Sequence, residues 1–537
     1  MTRWNGRVVI SFCCALLCAG AANAQRGGGD WTTAGNDAQR SGWVRTDPKI
    51  SPQSMAKPGF AFLWKQKLAS DTRQLNSLTQ AVLMERYIGY RGFRSLAHLG
   101  ASGNKVIALD TDLGRIEWQK AMGSAPPQSG TASCPGGLTT SLARPTGLAI
   151  APPPAAGRGG AVMFGRGGPA KSAVGEPGEG AVIIAQIAAN QQGRGGTRGG
   201  FPGPAGRGGA ARGGAARGGG FQRMPGYVYA LSSDGKLHVM YLSNGEEPNP
   251  PIAFLPANAN AVGLIVVDNV AYAATINGCG GAPNGIWALD LETKQVNSWK
   301  APSSVAGSDG FAFGPDGTIY AGTTSGDLVA LEPKTLKVTA TYHAGAPGFA
   351  STPVIFEYAD KPMIAIAARD GSIHVLPPTL AGAAAKTQPA STAGDLQAGA
   401  LTTWQDSDGT RWLLARSAGS VVAWKLLDTG GTISLQHGWA SRDMVSPLPP
   451  MVINGVVFAV SSGEFRTGDS LTAAQRAQKS GKAVLYALDG ATGKELWNSG
   501  NTITSFVHSG GLSGGGSQLY LQTYDGTLYA FGFPIEH

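Results

Sequence analysis

The chain of 537 residues contains little cysteine and little charge. It has 5 cysteines, and charged residues make up 14% of the sequence. Cys13, Cys14 and Cys18 fall within the first 20 residues, so only Cys134 and Cys279 remain for the body of the protein. No spacing typical of haem attachment or of a zinc site is present. These scarcities exclude a disulfide-rich scaffold and give no sign of a bound haem or a structural zinc ion.

Long apolar runs are also missing. The run at residues 8–20 has 13 residues, which is too short for a membrane-spanning helix. It follows Arg3 and Arg7 and precedes Ala22-Asn23-Ala24, the pattern of a signal peptide that is cleaved after Ala24. A retained membrane anchor is the weaker alternative. We therefore expect residues 1–24 to be removed and the mature protein to be a periplasmic or secreted monomer that does not span a membrane.

The formal net charge of +9 is concentrated in two segments. Residues 155–225 hold nine lysines and arginines against two glutamates, and Arg3 and Arg7 supply the other two charges. The remainder is electrically balanced, which argues against a nucleic-acid partner. Residues 155–225 repeat Gly-Arg-Gly-Gly, so they are predicted to be a low-complexity insertion that cannot bury enough apolar surface to fold by itself.

Two segments match at the same relative positions. Ala108-Leu109-Asp110 is followed by Gly114 and Trp118, and Ala487-Leu488-Asp489 is followed by Gly493 and Trp497. A strand, a turn with glycine and a second strand that reaches a tryptophan are typical of a β-hairpin. Residues 286–299 form a third copy, one residue longer. The chain is therefore predicted to be all-β.

The alanine of this repeat recurs along the whole chain. Successive copies lie 42–64 residues apart, except for one interval of 122 residues that contains the insertion. Units of this length predict four-stranded antiparallel blades, and eight copies predict an eight-bladed β-propeller. The copies are at Ala108, Ala230, Ala288, Ala330, Val375, Ala423, Ala487 and Ala530.

The last copy has no outer strand between Ala530 and residue 537. Residues 62–67, with Trp64 among them, resemble the closing strand around Trp118. We therefore expect this N-terminal strand to complete the last blade and close the ring, which would remove the exposed sheet edges.

The signature Ala-x-Asp-x-x-Thr-Gly-x-x-x-Trp, complete from Ala487 to Trp497, resembles the tryptophan-docking motif of the pyrroloquinoline quinone (PQQ) dehydrogenase superfamily. The resemblance covers most of the chain, although the copies at Ala330, Val375 and Ala423 lack the tryptophan at its usual place. It implies a PQQ-like propeller, with PQQ and calcium as possible cofactors. The opening of the mature chain also resembles the start of that superfamily, at Trp31, Gly35, Asp37, Arg40 and Gly42.

The tryptophans at the ends of the repeats are predicted to pack between blades rather than to form a binding platform, because one recurs at the end of each complete unit. They are Trp64, Trp118, Trp299, Trp439 and Trp497. Cys134 follows the first Ala-Leu-Asp strand and Cys279 precedes the third. They are either a disulfide between neighbouring blades or two separate buried thiols.

In dehydrogenases of this superfamily, the resemblance implies a quinone stacked on a disulfide between adjacent cysteines, a calcium held by carboxylate and amide oxygens, and an aspartate base. The mature chain has no adjacent cysteines, and no set of Asp, Asn and Glu can be matched to the calcium ligands. No quinone pocket is identifiable. The resemblance is therefore to the repeats and not to a catalytic site.

Five histidines are candidates for acid–base chemistry, because imidazole titrates near neutral pH. His374, between Ile373 and Val375, is predicted to be a satisfied core histidine. His508 lies in a glycine-rich loop and is the strongest of the weak candidates. None has a recognisable partner. The others are His98, His343 and His437.

Two classes of function remain. The first is a noncatalytic propeller that binds a protein partner or a small-molecule ligand. The alternative is a divergent PQQ-dependent alcohol or sugar dehydrogenase. Fold alone does not choose between them, and the missing adjacent cysteines favour the binding module.

Overall fold

The structure is a computed structural model, and it describes residues 30–69, 77–89, 92–123, 133–150, 226–382, 385–386, 399–466, 471–508 and 511–534. The predicted signal peptide and the predicted insertion at 155–225 lie outside the described residues. Within those residues, no helix has the length and apolar character needed to cross a membrane.

Before the first blade, the chain forms strand β1 (Trp43–Val44), helix α1 (Pro52–Met55) and strand β2 (Ala61–Lys67). Helix α1 begins at a capping box, in which the Ser51 hydroxyl accepts from the Ser54 N–H and the Ser54 hydroxyl accepts from the Ser51 N–H. The helix lies between β1, which pairs with the first strand of one sheet, and β2, which is the outer strand of another.

Eight sheets follow, mostly of four antiparallel strands, and they are the blades of a propeller. Blade 1 contains β3–β6, which are Val82–Gly89, Gly92–Ala101, Lys105–Asp110 and Arg115–Ala121. Blade 2 contains β7–β9, which are Tyr227–Leu231, Lys236–Tyr241 and Ile252–Ala253. Blade 3 contains β10–β13, which are Asn260–Val267, Val270–Ile276, Gly285–Asp290 and Val296–Lys300, with a 3₁₀ turn at Cys279–Gly281.

Blade 4 contains β14–β17, which are Phe311–Phe313, Ile319–Gly322, Asp327–Leu331 and Val338–His343. After the short strand β18 (Ser351–Thr352), blade 5 contains β19–β22, which are Val354–Tyr358, Lys361–Ala367, Ile373–Leu376 and Ala385–Lys386. After β23 (Gly399–Ala400), which pairs with β18, blade 6 contains β24–β27, which are Thr402–Gln405, Arg411–Arg416, Val421–Thr429 and Thr432–Ala440.

Blade 7 contains β28 (Met451–Ile453), β29 (Val456–Ser461), helix α2 (Ala473–Lys479), β30 (Val484–Asp489) and β31 (Glu495–Asn498). Blade 8 contains β32 (Leu512–Gly515), β33 (Gln518–Gln522) and β34 (Thr527–Gly532). The fourth strand of blade 8 is β2, which pairs antiparallel with β34. The first strands of blades 8 and 1, β32 and β3, lie against each other, so the ring is continuous there.

The repeated alanine position marks the third strand of seven blades, from Ala108 in β5 to Ala530 in β34. In blade 2, Ala230 lies instead in β7, the first of the three described strands, so the sequence misplaced that copy. In four blades the repeated alanine pairs with the repeat tryptophan of the outer strand, as Ala108 does with Trp118 and Ala530 with Trp64. In blade 3 Trp299 pairs instead with Ile286. The prediction of an eight-bladed, all-β propeller is confirmed.

Blade 2 departs from the four-stranded prediction. Only three of its strands are described, and Ala143 adds a single antiparallel bridge to Tyr229 of β7. Residues 151–225, which contain the predicted insertion, separate Ala143 from β7 in sequence and lie outside the described residues.

The repeat tryptophans hold neighbouring blades together. The Trp64 indole N–H donates to the Thr111 carbonyl of blade 1, and the Trp118 indole N–H donates to the Leu242 carbonyl of blade 2. The Trp64 indole lies on Gly114 and the Trp118 indole lies on Gly245, and each glycine is in a turn of the next blade. A Cβ atom at either glycine would come within 2.6 Å of the indole. These glycines also have positive φ, so the turn requires glycine for two independent reasons.

The N-terminal part of the described chain lies along the inner strands of the blades. Residues 31–47, called here the channel segment, hydrogen-bond to the first strands of six blades, 1 and 3–7. For example, Leu83 of blade 1 donates to the Trp31 carbonyl, and Val452 of blade 7 donates to the Gly42 carbonyl. At its end, Asp47 accepts from the backbone and the hydroxyl of Ser517 in blade 8. The segment therefore links blades that are far apart in sequence.

Candidate functional site

A cavity of about 510 Å³ lies against the channel segment and is lined by residues from most of the blades. Its floor is formed by the channel segment, through Trp31, Ala34, Gly35, Arg40 and Gly42. Its walls come from the residues that enter the first strands of the blades and from the ends of several second strands. A volume of this size is within the usual range for small-molecule sites, roughly 300–1,000 Å³. The sequence identified no quinone pocket, and it could not reveal this cavity because the lining residues come from segments far apart in the chain.

Arg40 is the buried cation of the floor, with an exposed fraction of 1%. Its guanidinium donates to the carbonyls of Ala34, Gly263 and Phe311 and to the Thr33 hydroxyl. Burial lowers the pKa of Arg40, and the nearby Asp309 carboxylate opposes that shift. Arg40 therefore fixes the floor to blades 3 and 4.

Asp309 faces the cavity just before blade 4 and is the only acidic residue among the described residues of the lining. Asp309 is half-buried. Loss of hydration raises the pKa of Asp309, and the Arg40 charge and a hydrogen bond with Ser308 oppose the rise. The lining thus contains one carboxyl group, and a guanidinium lies close to it.

A second charged group, called here the basic corner, consists of Arg416, Glu464, Arg466 and His508. Arg416 ends β25 of blade 6, and Glu464 and Arg466 follow β29 of blade 7. The Glu464 side chain is fully buried and accepts from Arg466 Nε at 2.7 Å and from His508 Nδ1 at 2.6 Å. Arg466 also donates to the His508 carbonyl at 2.8 Å. Arg416, Arg466 and His508 all line the cavity.

Helix α2 holds the chain that carries this corner. Arg476 of the helix donates to the Phe465 carbonyl, and the Ser480 hydroxyl accepts from the Phe465 N–H. The helix begins at a capping box formed by Thr472 and Gln475. Glu464 and Arg466, on either side of Phe465, are therefore fixed by contacts outside the cavity.

The structure gives His508 a partner that the sequence did not reveal. Glu464 lies 44 residues before it in the chain. Because Nδ1 faces a carboxylate, that nitrogen carries a proton, and the ring is held in one orientation. A carboxylate–imidazole pair beside a cavity can orient a polar ligand or exchange a proton with it.

The other candidate histidines lie away from the cavity. His374 is buried and satisfied, as predicted, by the Tyr342 hydroxyl and the Ser372 hydroxyl. It lies on β21, a third strand, rather than on an inner one. His343 pairs with Asp327 at the end of β17, and His437 is exposed on the outer strand β27.

His98 is fully buried in blade 1, where Nε2 lies 3.3 Å from the Leu242 carbonyl. Burial lowers its pKa to about 3, so it stays neutral in the folded protein at pH 5. The unfolded chain takes up the proton near pH 6.5. The contribution of neutral His98 to the free energy of unfolding is therefore fully present above pH 6.5, and it is lost as the pH falls toward 3.

We expect His98 alone to remove about 2 kcal/mol from the free energy of unfolding between pH 7 and pH 5. His98→Leu should lose that part of the pH dependence, whatever its effect on stability at pH 7, and the exposed His437→Gln should keep it. Urea unfolding at the two pH values measures the difference. An unchanged pH dependence in the leucine variant would contradict the assignment.

One arrangement in blade 2 has the connectivity of a hydrolytic triad. His238 Nε2 lies 3.0 Å from the Ser232 hydroxyl, and His238 Nδ1 lies 3.2 Å from Glu247. The hydroxyl also bonds the Lys236 carbonyl within its own turn, and the adjacent void has a volume of about 10 Å³. His374 and Ser372 repeat the histidine–serine contact in blade 5. The arrangement therefore stabilises a turn and has no room for a substrate.

The two remaining cysteines form a disulfide in the structure. It joins Cys134, just before the cavity wall at Pro135, to Cys279 of blade 3. The Ser133 carbonyl beside it accepts from the side-chain amides of Asn260 and Asn277, both of which line the cavity. The bridge thus secures one part of the cavity rim.

The lining does not fit the calcium and quinone that the resemblance implies. Calcium requires several oxygen ligands, usually with more than one carboxylate. The described lining offers a single carboxyl, that of Asp309, and Arg40 lies close to it. Among the described residues, no group of three or more His, Cys, Asp and Glu side chains could hold a metal ion. The disulfide joins residues 145 positions apart and not adjacent ones.

The sequence singled out two of these residues, Arg40 and His508, and missed Asp309, Arg416, Glu464 and Arg466. A weak signal existed for Arg416, because it ends the otherwise apolar run Trp412-Leu413-Leu414-Ala415. A charge at the end of a buried strand indicates a position beside a site. No comparable signal marks the others, because each stands in a loop of mixed composition.

No protein-family model matches the chain. No curated protein matches it either. Solved structures do resemble it. A quinohemoprotein alcohol dehydrogenase from Comamonas testosteroni has a TM-score of 0.54 and 14% identity, and the match covers 95% of this chain and 81% of that one. A quinohemoprotein alcohol dehydrogenase from Pseudomonas putida HK5 has a TM-score of 0.54 and 11% identity, with the same coverage. BamB from Moraxella catarrhalis has a TM-score of 0.46 and 12% identity, with coverage of 89% and 99%.

The class of protein is therefore an eight-bladed β-propeller with a cavity lined by residues from most of its blades. Its fold is similar to that of the two quinohemoprotein alcohol dehydrogenases. Identities of 11% and 14% establish the fold alone.

Proposed function

We propose that the chain is an exported PQQ-like propeller that binds a small molecule in this cavity without catalysing a reaction on it. The observation that carries this proposal is the composition of the cavity, which has a closed floor, three arginines and one carboxyl group among its described lining residues. Such a lining can hold a ligand, but it lacks the metal ligands that a quinone dehydrogenase uses. The signal-peptide pattern at residues 1–24 and the disulfide support export.

The alternative, a divergent quinoprotein dehydrogenase, is favoured by one feature. Asp309 and Asn260 supply a carboxyl and an amide in the same cavity, and burial raises the pKa of Asp309 as a general base would require. A protein partner on the surface of the ring is compatible with either function. Nucleic acid is not proposed as a partner.

We expect the mature protein to show no saturable binding of PQQ in the presence of calcium. We also expect no dye-linked oxidation of ethanol or glucose. The reason is that the described lining offers a single carboxyl, that of Asp309, and so no calcium site that would polarise a quinone. Titration calorimetry and a dye-reduction assay measure the two properties.

Ala400→Trp, which fills part of the cavity, and Ala440→Trp on the exposed outer strand β27 form a matched pair for these measurements. Stoichiometric quinone binding that only Ala400→Trp removes, together with alcohol-dependent dye reduction, would establish the dehydrogenase instead.

A further inference from the structure

We infer that the cavity binds an organic monoanion, with a carboxylate head group held at the basic corner by Arg416 and Arg466 and an apolar body in the rest of the cavity. This inference rests on the proposed function and names the class of its ligand. The inference follows from where the charged side chains lie, from the excess of positive over negative charge among them, and from the largely apolar residues of the other cavity walls.

Arg416 and Arg466 reach the cavity from neighbouring blades. Arg466 is held in place by Glu464 and by the His508 carbonyl, and 17% of its side chain remains exposed. Arg416 donates to the Pro447 carbonyl and has an exposed fraction of 6%. Both guanidinium groups are therefore ordered before any ligand arrives, which lowers the entropic cost of binding.

The two guanidinium groups act on each other electrostatically. The pKa of Arg416 is lowered to about 9, first by burial and then by the charge of Arg466, while Glu464 raises it. Like charges that are poorly hydrated repel strongly, and an anion between them relieves the repulsion. This agrees with the geometric argument that the corner is suited to a negative group.

The charges of the described site do not cancel within the corner. On the floor, one carboxyl, Asp309, and one guanidinium, Arg40, interact electrostatically. At the corner, a single carboxylate, Glu464, stands against Arg416 and Arg466 and also accepts from His508. One positive charge remains in excess, which matches a monoanion better than a phosphate dianion. A carboxylate also fits the planar guanidinium donors.

The walls beyond the corner are largely uncharged and in good part apolar. They indicate a ligand whose body is hydrocarbon, and a volume of about 510 Å³ admits a bicyclic aromatic acid. Hydroxyl groups such as those of Thr79 and Thr139 add a few polar contacts. The apolar side chains include Leu78, Leu138, Val262, Leu401, Leu448 and Met451.

The test compares three probes of the same shape on the full mature chain by titration calorimetry. They are 2-naphthoate, neutral 2-naphthamide and 2-naphthyl phosphate. We expect naphthoate to bind at least about 10-fold more tightly than the amide, because charge-assisted hydrogen bonds are about twice as strong as neutral ones. We expect naphthyl phosphate to bind no more tightly than naphthoate.

Arg416→Met should reduce the affinity for naphthoate about 10-fold and leave the affinity for naphthamide unchanged, so that the charge preference disappears. The Arg466→Met variant should show the same loss of charge preference if it folds. If it does not fold, the Arg416→Met variant alone still tests the inference. Arg442→Met is the control, because Arg442 pairs with Glu495 outside the cavity. Ala400→Trp should weaken the binding of all three probes.

Equal affinity for naphthoate and naphthamide would overturn the anion inference and leave the proposed binding function intact. Tighter binding of the phosphate would overturn the carboxylate assignment. Binding of naphthoate that survives Ala400→Trp would place it outside the cavity and also overturn the inference. Quinone-dependent turnover, by contrast, would show that the proposed binding function itself is wrong.

Discussion

Removing residues 25–68 should abolish cooperative folding of the propeller. The deletion takes away β2, and β34 then presents an unpaired edge along Thr527–Gly532, which templates aggregation. It also takes away the channel segment, whose hydrogen bonds join the first strands of six blades. Size-exclusion chromatography should show aggregates, and calorimetry should show no sharp transition.

Two further deletions separate the two contributions. Removing residues 25–47 keeps β2 and should leave a ring that is monomeric but melts at a much lower temperature. Replacing residues 155–225 with a short Gly/Ser linker is the control, since that segment has little apolar surface to bury, and it should melt like the parent. A truncated protein without residues 25–68 that stays monomeric and melts like the parent would show that the N-terminal part is not needed for the ring.

The repeats could be predicted from the sequence because each is a local pattern. The alanine of the third strand, the turn glycine and the outer-strand tryptophan lie within ten or eleven residues of one another, as in Ala108 to Trp118. The register of that hairpin then places the two residues opposite each other. The same reasoning fails in blade 2, where residues 151–225 interrupt the unit after Ala143.

The site could not be predicted in the same way, because its contacts are between distant parts of the chain. Glu464 meets His508 across 44 residues, and Arg40 reaches Phe311 across 271. Only the closure of the ring brings such residues together. The sequence did single out Arg40 and His508, the first through a resembling motif and the second through its glycine-rich surroundings, but it gave no reason for either to be near a carboxylate.

The sequence did not decide whether calcium and a quinone bind. Beyond the predicted signal peptide it has no adjacent cysteines, and it shows no recognisable set of calcium ligands. The structure adds a physical reason. Arg40 lies beside Asp309, the only carboxyl of the described lining, and Glu464 is engaged by Arg466 and His508. Each carboxylate near the cavity therefore has a cation of the protein as its partner. The same pairing leaves the excess positive charge on which the anion inference depends.

Arg40→Met should lower the free energy of unfolding by about 3–5 kcal/mol, the usual cost of breaking a buried charged network by removing one partner. The methionine fills part of the volume but donates no hydrogen bond. The carbonyls of Ala34 and Phe311 would lose the donor that Arg40 supplies, and Asp309 would be left buried without its cation. Urea unfolding followed by tryptophan fluorescence measures the loss.

Arg40→Lys separates charge from geometry, since lysine keeps the charge near Asp309 but cannot reproduce the planar fork that reaches several carbonyls. It should therefore be less destabilised than Arg40→Met. In the background of Asp309→Asn, Arg40→Met should cost less than in the parent, because no buried carboxylate is left unpaired. Arg442→Met on the exposed surface is the control and should change stability little. If Arg40→Met unfolds at the same urea concentration as that control, then Arg40 does not hold the floor of the cavity to blades 3 and 4.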